Sequence, residues 1–195
     1  LIGKPVPTFP EALQASRRAP NCCFARFAWR PRAVFMRISL LAVGKLKDAE
    51  ERAISDRYVK RFNGAGRSIG LGPIDIRELN ESRQASADER KHDEAARLLK
   101  DLAADTFIVA LDPAGKSVSS EVFARTLGEK RDGAVKTCAF LIGGPDGHGA
   151  QVLKSSGMTL SLGALTLPHG LARVVLLEQL YRAATILSGH PYHRA

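Results

Sequence analysis

The sequence predicts an α/β fold in which a mainly parallel sheet is covered by helices on both faces. Three observations predict it. Short apolar runs alternate with longer helical segments from residue 37 onward. Two of those runs, residues 106–111 (TFIVAL) and 137–142 (TCAFLI), are apolar almost throughout, as strands buried on both sides are. Each of the two enters a segment rich in glycine, proline and aspartate, and strand-end turns are where open α/β sheets bind ligands.

In chain order, Ile38, Leu40, Leu41, Ala42 and Val43 form a buried strand closed by Gly44. Asp48 can cap the helix that follows, with Glu50 and Glu51 at its positive end. Ala53, Ile54, Tyr58, Val59 and Phe62 carry that helix to a stop at Asn63-Gly64. Ile74, Ile76 and Leu79 alternate with Asp75, Arg77 and Glu78, which predicts a strand exposed on one side. A helix is expected over about 87–103, then the strand 106–111 and a turn at residues 112–116 (DPAGK). Next come a helix over 119–129, the strand 137–142 and a glycine-dense loop at 143–149 (GGPDGHG). A short helix, a strand over 158–162 and a loop over 163–168 lead to the longest helix, about 170–188. Only Glu178, Arg182 and Thr185 make a clear polar stripe on it, so it must bury more than one face, under a loop or against a second subunit.

The 195 residues suffice for one catalytic domain with a real core, and 45% hydrophobic with 25% charged residues is a globular composition. No stretch approaches the roughly 20 apolar residues of a membrane span. The formal charge of +9 divides unevenly. Residues 1–35 hold six basic groups and one acid, a net +5, which leaves +4 for the remainder. A nucleic-acid site on the body must therefore be a local patch. The first 35 residues, with five prolines and no surviving apolar period, are expected to be an unfolded leader. Their Arg-rich, acid-poor make-up faintly resembles a transit peptide, but translation read from too far upstream accounts for them better, because Met36 is the first methionine. Cys22 and Cys23 adjoin and Cys138 sits in a core strand, so no disulfide framework is expected and a reducing, cytoplasmic setting is. Cys138 reads as a small core residue, not a nucleophile.

The loop GGPDGHG lacks the lysine and hydroxyl residue of a P-loop, and its glycine spacing is not G-x-G-x-x-G. Taken alone, it and DPAGK read as ordinary turns before they read as sites. Four of the five histidines, His148, His169, His190 and His193, lie in the last third. His190 and His193 are spaced to share a zinc ion, but no acidic or cysteine ligand supports them, and no metal is expected. The ending His190-Pro-Tyr-His-Arg194 is either a solvated tail or a substrate grip. A titrating group, a stacking ring and a phosphate clamp make a useful set for holding an extruded base.

Taken in order, the segments Met36-Arg-Ile-Ser-Leu-Leu-Ala-Val-Gly44, Val109-Ala-Leu-Asp-Pro-Ala-Gly-Lys116, Phe140-Leu-Ile-Gly-Gly-Pro-Asp-Gly147, Leu160-Ser-Leu-Gly-Ala-Leu-Thr-Leu-Pro-His169, Glu178-Gln-Leu-Tyr-Arg-Ala183 and His190-Pro-Tyr-His-Arg194 resemble the SPOUT methyltransferases, in particular the type that methylates N3 of a pseudouridine in large-subunit ribosomal RNA. The resemblance covers residues 36–195, with Gly163 where a serine is familiar. It implies a homodimer, a trefoil knot in the C-terminal part and S-adenosylmethionine as cofactor. By the same resemblance, Leu111, Gly144, Leu162, Gly163, Ala164, Leu165, Thr166 and Leu167 line the cofactor pocket.

Methyl transfer from a sulfonium to N3 needs no metal, but it does need an aligned nucleophile and a group to take the N3 proton. His190, Tyr192 and His193 are the candidate bases, with Arg182 or Arg194 steadying the anionic base or a phosphate, and the sequence does not rank them. The implied partner is ribosomal RNA in the assembled ribosome, its target in a hairpin at the subunit interface. Two alternatives stand beside this reading: a SPOUT enzyme with a tRNA or ribose target, and a catalytically silent ribosome-binding protein.

Overall fold

The computed structural model describes residues 35–192, and the leader reading for residues 1–34 lies outside them. Five strands, β1 (Met36–Val43), β2 (Leu71–Leu79), β3 (Phe107–Ser117), β4 (Thr137–Ile142) and β5 (Met158–Ser161), alternate with five helices, α1 (Ala49–Arg67), α2 (Ala87–Leu99), α3 (Ser120–Asp132), α4 (Ala150–Ser155) and α5 (His169–Ser188). The strands pair in the order β2-β1-β4-β3-β5, and every pairing is parallel.

Pleating sends successive side chains of a strand to opposite faces. On β1, Met36, Ile38, Leu40 and Ala42 enter one core with Phe62 of α1, Leu127 of α3 and Leu176, Leu177 and Leu180 of α5. Leu41 and Val43 enter the other, with Ala95 and Leu98 of α2 and Val152 of α4. The sheet is thus covered on both sides, which is why its central strands carry no polar face. Among the described residues, no helix is long and apolar enough to cross a membrane.

Several boundaries differ from expectation, each for a local reason. Helix α1 does not stop at Asn63-Gly64, because the Asn63 side chain accepts a hydrogen bond from the Ile74 amide at 2.9 Å and so serves β2 instead of ending the helix. Helix α2 stops at Leu99, short of residue 103, where the chain tightens into a Leu102 N–H to Leu99 carbonyl bond before β3. Its other end follows the sequence, with Ser86 and Glu89 forming a reciprocal capping box. The expected turn at residues 112–116 is a bulge inside one long strand. Both Leu111 and Lys116 register with Leu160, and the residues between them loop out. Gly115 is required there, since a Cβ would stand 2.8 Å from the backbone of β5. The expected polar stripe on α5 is only partly polar surface: Thr185 is fully buried and donates to the Arg182 carbonyl at 2.7 Å.

Candidate functional site

Parallel strands bring their carboxyl ends to one edge, so loops far apart in sequence meet there. A cavity of about 210 Å³ lies at the bulge of β3 and the carboxyl ends of β4 and β5. Its walls are Leu111, Asp112 and Pro113 at the β3 bulge, the glycine loop with Gly143, Gly144, Pro145, Gly147 and His148 after β4, Leu160 and Ser161 at the end of β5, and Leu162, Gly163, Leu165, Thr166 and Leu167 after it. His169 and Ala172 of α5 complete it.

Each loop is held by identifiable bonds. The glycine loop turns on a Gly147 N–H to Gly144 carbonyl bond of 2.9 Å, with Gly147 at φ +86°. Arg90 of α2 grips Asp146 through Nε and Nη2, at 2.7 and 3.1 Å, and holds that carboxyl below its usual range. Gly149 rests on α2, where a Cβ would come within 2.7 Å of the Lys91 carbonyl. After β5, Ser161 donates to the Gly163 carbonyl at 2.9 Å and fixes the turn.

Leucines 111, 160, 162, 165 and 167 give the cavity apolar walls, and Leu165 is 83% exposed at its rim. Gly147 and Gly163, the latter at φ +133°, have open space where a Cβ would stand, so their backbones are approachable. Apolar walls with a few convergent polar groups suit a flat heteroaromatic ligand. The adenosyl group of S-adenosylmethionine has that chemistry, and the residues present fit it. His148, which the sequence left without a role, is buried in this wall. Its Nε2 lies 3.2 Å from the Leu141 carbonyl and its Nδ1 is buried without a partner. Burial pushes the imidazole below its ordinary value, against the opposing pull of Asp112, the Leu111 and Leu141 carbonyls and Glu94.

Seven of the eight residues assigned to the cofactor by resemblance line this one cavity. Ala164 is the exception and is exposed between them. The residues assigned to the substrate side gather elsewhere. Arg182 places Nε and Nη2 at 3.0 and 2.7 Å from Glu178, and its guanidinium lies 5.3 Å from the centre of the Tyr192 ring. Tyr192 packs on Tyr181 at 4.7 Å between centroids, and its hydroxyl lies 3.4 Å from Glu178. Burial, with Tyr58 and the Glu178 carboxylate beside it, pushes the Tyr192 phenol up, which keeps its proton on. Of the three candidate bases it is therefore a donor first. His190 is exposed, and its Nδ1 accepts from the Tyr192 amide at 3.1 Å. His193 and Arg194 lie outside the described residues.

The two groups lie at different heights on α5: Glu178 and Arg182 stand roughly 9 and 15 Å beyond Ala172, which lines the cavity, at 1.5 Å per residue. Of the described tail residues, neither His190 nor Tyr192 lines the cavity. Beside the cavity, buried Arg173 pairs with Glu78 and donates to the Gly44 carbonyl at 3.0 Å, tying α5 to the ends of β1 and β2. Burial raises the Glu78 carboxyl, but the Leu46 amide, Arg173 and Arg52 outweigh it and hold the group below its usual range. Among the described residues no three His, Cys, Asp or Glu side chains gather as a metal site would need.

The family model described as "Predicted SPOUT methyltransferase" matches residues 36–193. The chain belongs to the SPOUT methyltransferase family. Among the similar proteins are two named ribosomal RNA large subunit methyltransferase H. The protein from Mesorhizobium japonicum is 49% identical over 160 residues, covering 82% of this chain and 100% of the relative. That from Xanthobacter autotrophicus is 48% identical with the same coverage. The solved structure of a putative methylase family protein from Neisseria gonorrhoeae aligns with a TM-score of 0.40 at 11% identity, over 78% of this chain and 84% of that one, a likeness too loose to carry weight. This SPOUT methyltransferase is thus an enzyme of methyl transfer.

Sequence reasoning missed four members of the site's frame. His148 stood in a noted loop, but burial decides its chemistry. Arg90, Glu94 and Arg173 belong to helices, and spacing alone does not tell a buried helical charge from a solvated one.

Proposed function

We propose that this SPOUT methyltransferase transfers the methyl group of S-adenosylmethionine to N3 of a pseudouridine in 23S ribosomal RNA, on assembled ribosomes and as a homodimer. The observation that carries the reading is the leucine-walled, glycine-looped cavity at the bulge of β3 and the ends of β4 and β5, in a chain nearly half identical to proteins named for methylation of large-subunit ribosomal RNA. When bound, the cofactor supplies an already activated methyl group. N3 would have to give up its proton for that transfer, and a base on the protein would take it. Leucines and glycine backbones of the cavity hold the adenosyl group and exclude water. His190 or His193 takes the proton, while Arg182 and Arg194 offset the charge of the deprotonated base or of a phosphate.

Because Tyr192 packs on Glu178 and Tyr181, outside the cavity of its own chain, a complete site takes the cavity of one protomer and the tail of its partner. That is a physical reason for the dimer, and the trefoil knot of the C-terminal part belongs to the same reading. An RNA substrate is further supported by exposed Arg57, Lys60 and Arg61 on one face of α1. The Arg61 guanidinium lies 5.8 and 5.9 Å from the Tyr58 and Tyr181 rings, next to the Tyr192 cluster.

The test is mass mapping of 23S ribosomal RNA from cells lacking the protein, then restoration of the mark with purified protein, S-adenosylmethionine and ribosomes from those cells. A single missing methyl on a pseudouridine is the expected result. An unchanged RNA, or a mark on tRNA or ribose, would overturn the assignment.

A further inference from the structure

Helix α2 is the back wall of the glycine loop. Arg90 grips Asp146, the Lys91 carbonyl lies under Gly149, and between these contacts stands Glu94, 4% exposed. One oxygen of the Glu94 carboxylate accepts from the Ser82 amide at 2.8 Å, and the other is buried with no partner. The group lies against Gly144. A Cβ built there would stand 2.6 Å from Oε2, 3.1 Å from Cδ and 3.1 Å from Oε1, closer than side chains pack. Gly144 has an ordinary negative φ, so backbone freedom does not demand glycine at this position. Its Cβ direction points at Glu94.

We infer that Glu94 is a positioning residue for the cofactor: its carboxylate, anchored by the Ser82 amide and pressed on Gly144, sets where residues 143–149 stand over the cavity, and Gly144 lacks a side chain to admit it. This rests on the reading of the cavity as the cofactor site. A buried carboxylate under a loop that faces a ligand acts at a distance of one backbone layer. It touches no substrate and moves no proton in the reaction.

A double-mutant cycle tests it, with S-adenosylhomocysteine as the probe in calorimetry on the full chain. Gly144→Ala alone should weaken binding about tenfold or more, because Glu94 pushes the loop out of place. In a Glu94→Ala background, the same Gly144→Ala change should cost no more than about twofold, since the obstacle is gone. Glu94→Gln, which keeps the shape and the acceptor for Ser82, should bind within about threefold of wild type, whereas Glu94→Ala should raise the KM for S-adenosylmethionine with kcat little changed. If Gly144→Ala costs the same with and without Glu94, glycine is there for the ligand and the inference is wrong. A kcat loss without a KM change in Glu94→Ala overturns it equally. Failure of the wild type to bind the probe would sink the cofactor reading instead. Hydrogen exchange at the Gly147 amide, run through the same cycle, would then still decide whether Glu94 and Gly144 are coupled.

Discussion

At the scale of single residues, burial decides which titrating groups change with pH. His148 is pushed below its ordinary value mainly by loss of water, while Asp112 and Glu94 are the charged groups that oppose the shift. A histidine whose folded value is depressed binds its proton more readily in the unfolded chain. Its contribution to stability is therefore present above the unfolded value, near 6.5, and is lost as pH falls from there through the folded value. Melting temperature measured from pH 7.5 to 5 should fall with acid in wild type and fall less steeply in His148→Leu. Parallel curves would show that His148 does not titrate in this window. Arg173 makes the opposite case, a buried charge that must keep its partner. Arg173→Ala leaves Glu78 without its main counter-charge and should cost about 3–5 kcal/mol in urea unfolding, toward the lower end because Glu78 reaches solvent. Neither residue was legible as such. A histidine in a glycine loop and an arginine in an apolar helix look alike whether solvated or buried.

At the scale of elements, the helix α5 joins the two halves of the chemistry. Its first turn closes the cavity, and Arg182 and Tyr192 meet Glu178 at its middle. Removing residues 192–195 takes away groups beyond the helix and should leave the affinity for S-adenosylhomocysteine unchanged. Methyl transfer should fall by about a hundredfold to ten-thousandfold, the usual worth of general acid-base assistance. Single-turnover methylation of unmodified ribosomes measures it, and a parental rate would make the tail a passive end. Strand and helix identities were readable from apolar period and capping residues, as at Asp48, whose side chain accepts from the Glu51 amide, and in the residue-for-residue agreement over Thr137–Ile142. The bulge in β3 was not. Proline, aspartate and glycine signal a turn, but only pairing with β5 on both sides of it makes that turn part of a strand.

At the scale of the whole molecule, the separation of tail and cavity along α5 makes a prediction about assembly. Sedimentation at micromolar protein should report about twice the chain mass of 21.1 kDa, as for a two-fold homodimer. Mixing a tail-deleted protein with one carrying Gly144→Val should then restore part of the activity that neither has alone, because one mixed site per dimer is whole. A monomer, or no recovery on mixing, would remove the shared site. Leu171 and Val122, each more than two-fifths exposed, are apolar surface on α5 and α3 that a partner could cover.

The sequence by itself determined a mainly parallel sheet, the helices on its two faces and the loops that meet at the cavity; the pairing in the structure is parallel throughout. Those features follow from local period, caps and chain order, which neighbouring residues write into the chain. Of the eight residues that family resemblance assigned to the cofactor, seven line the cavity. Tertiary structure alone decided what lies behind those loops. It placed Glu94 against Gly144, left His148 buried with one nitrogen unpartnered and packed Tyr192 on Glu178 and Tyr181, outside the cavity. Spacing sets which residues share a face. Desolvation and through-space contact arise only when elements distant in sequence pack together, and those set the charge and the role of each group.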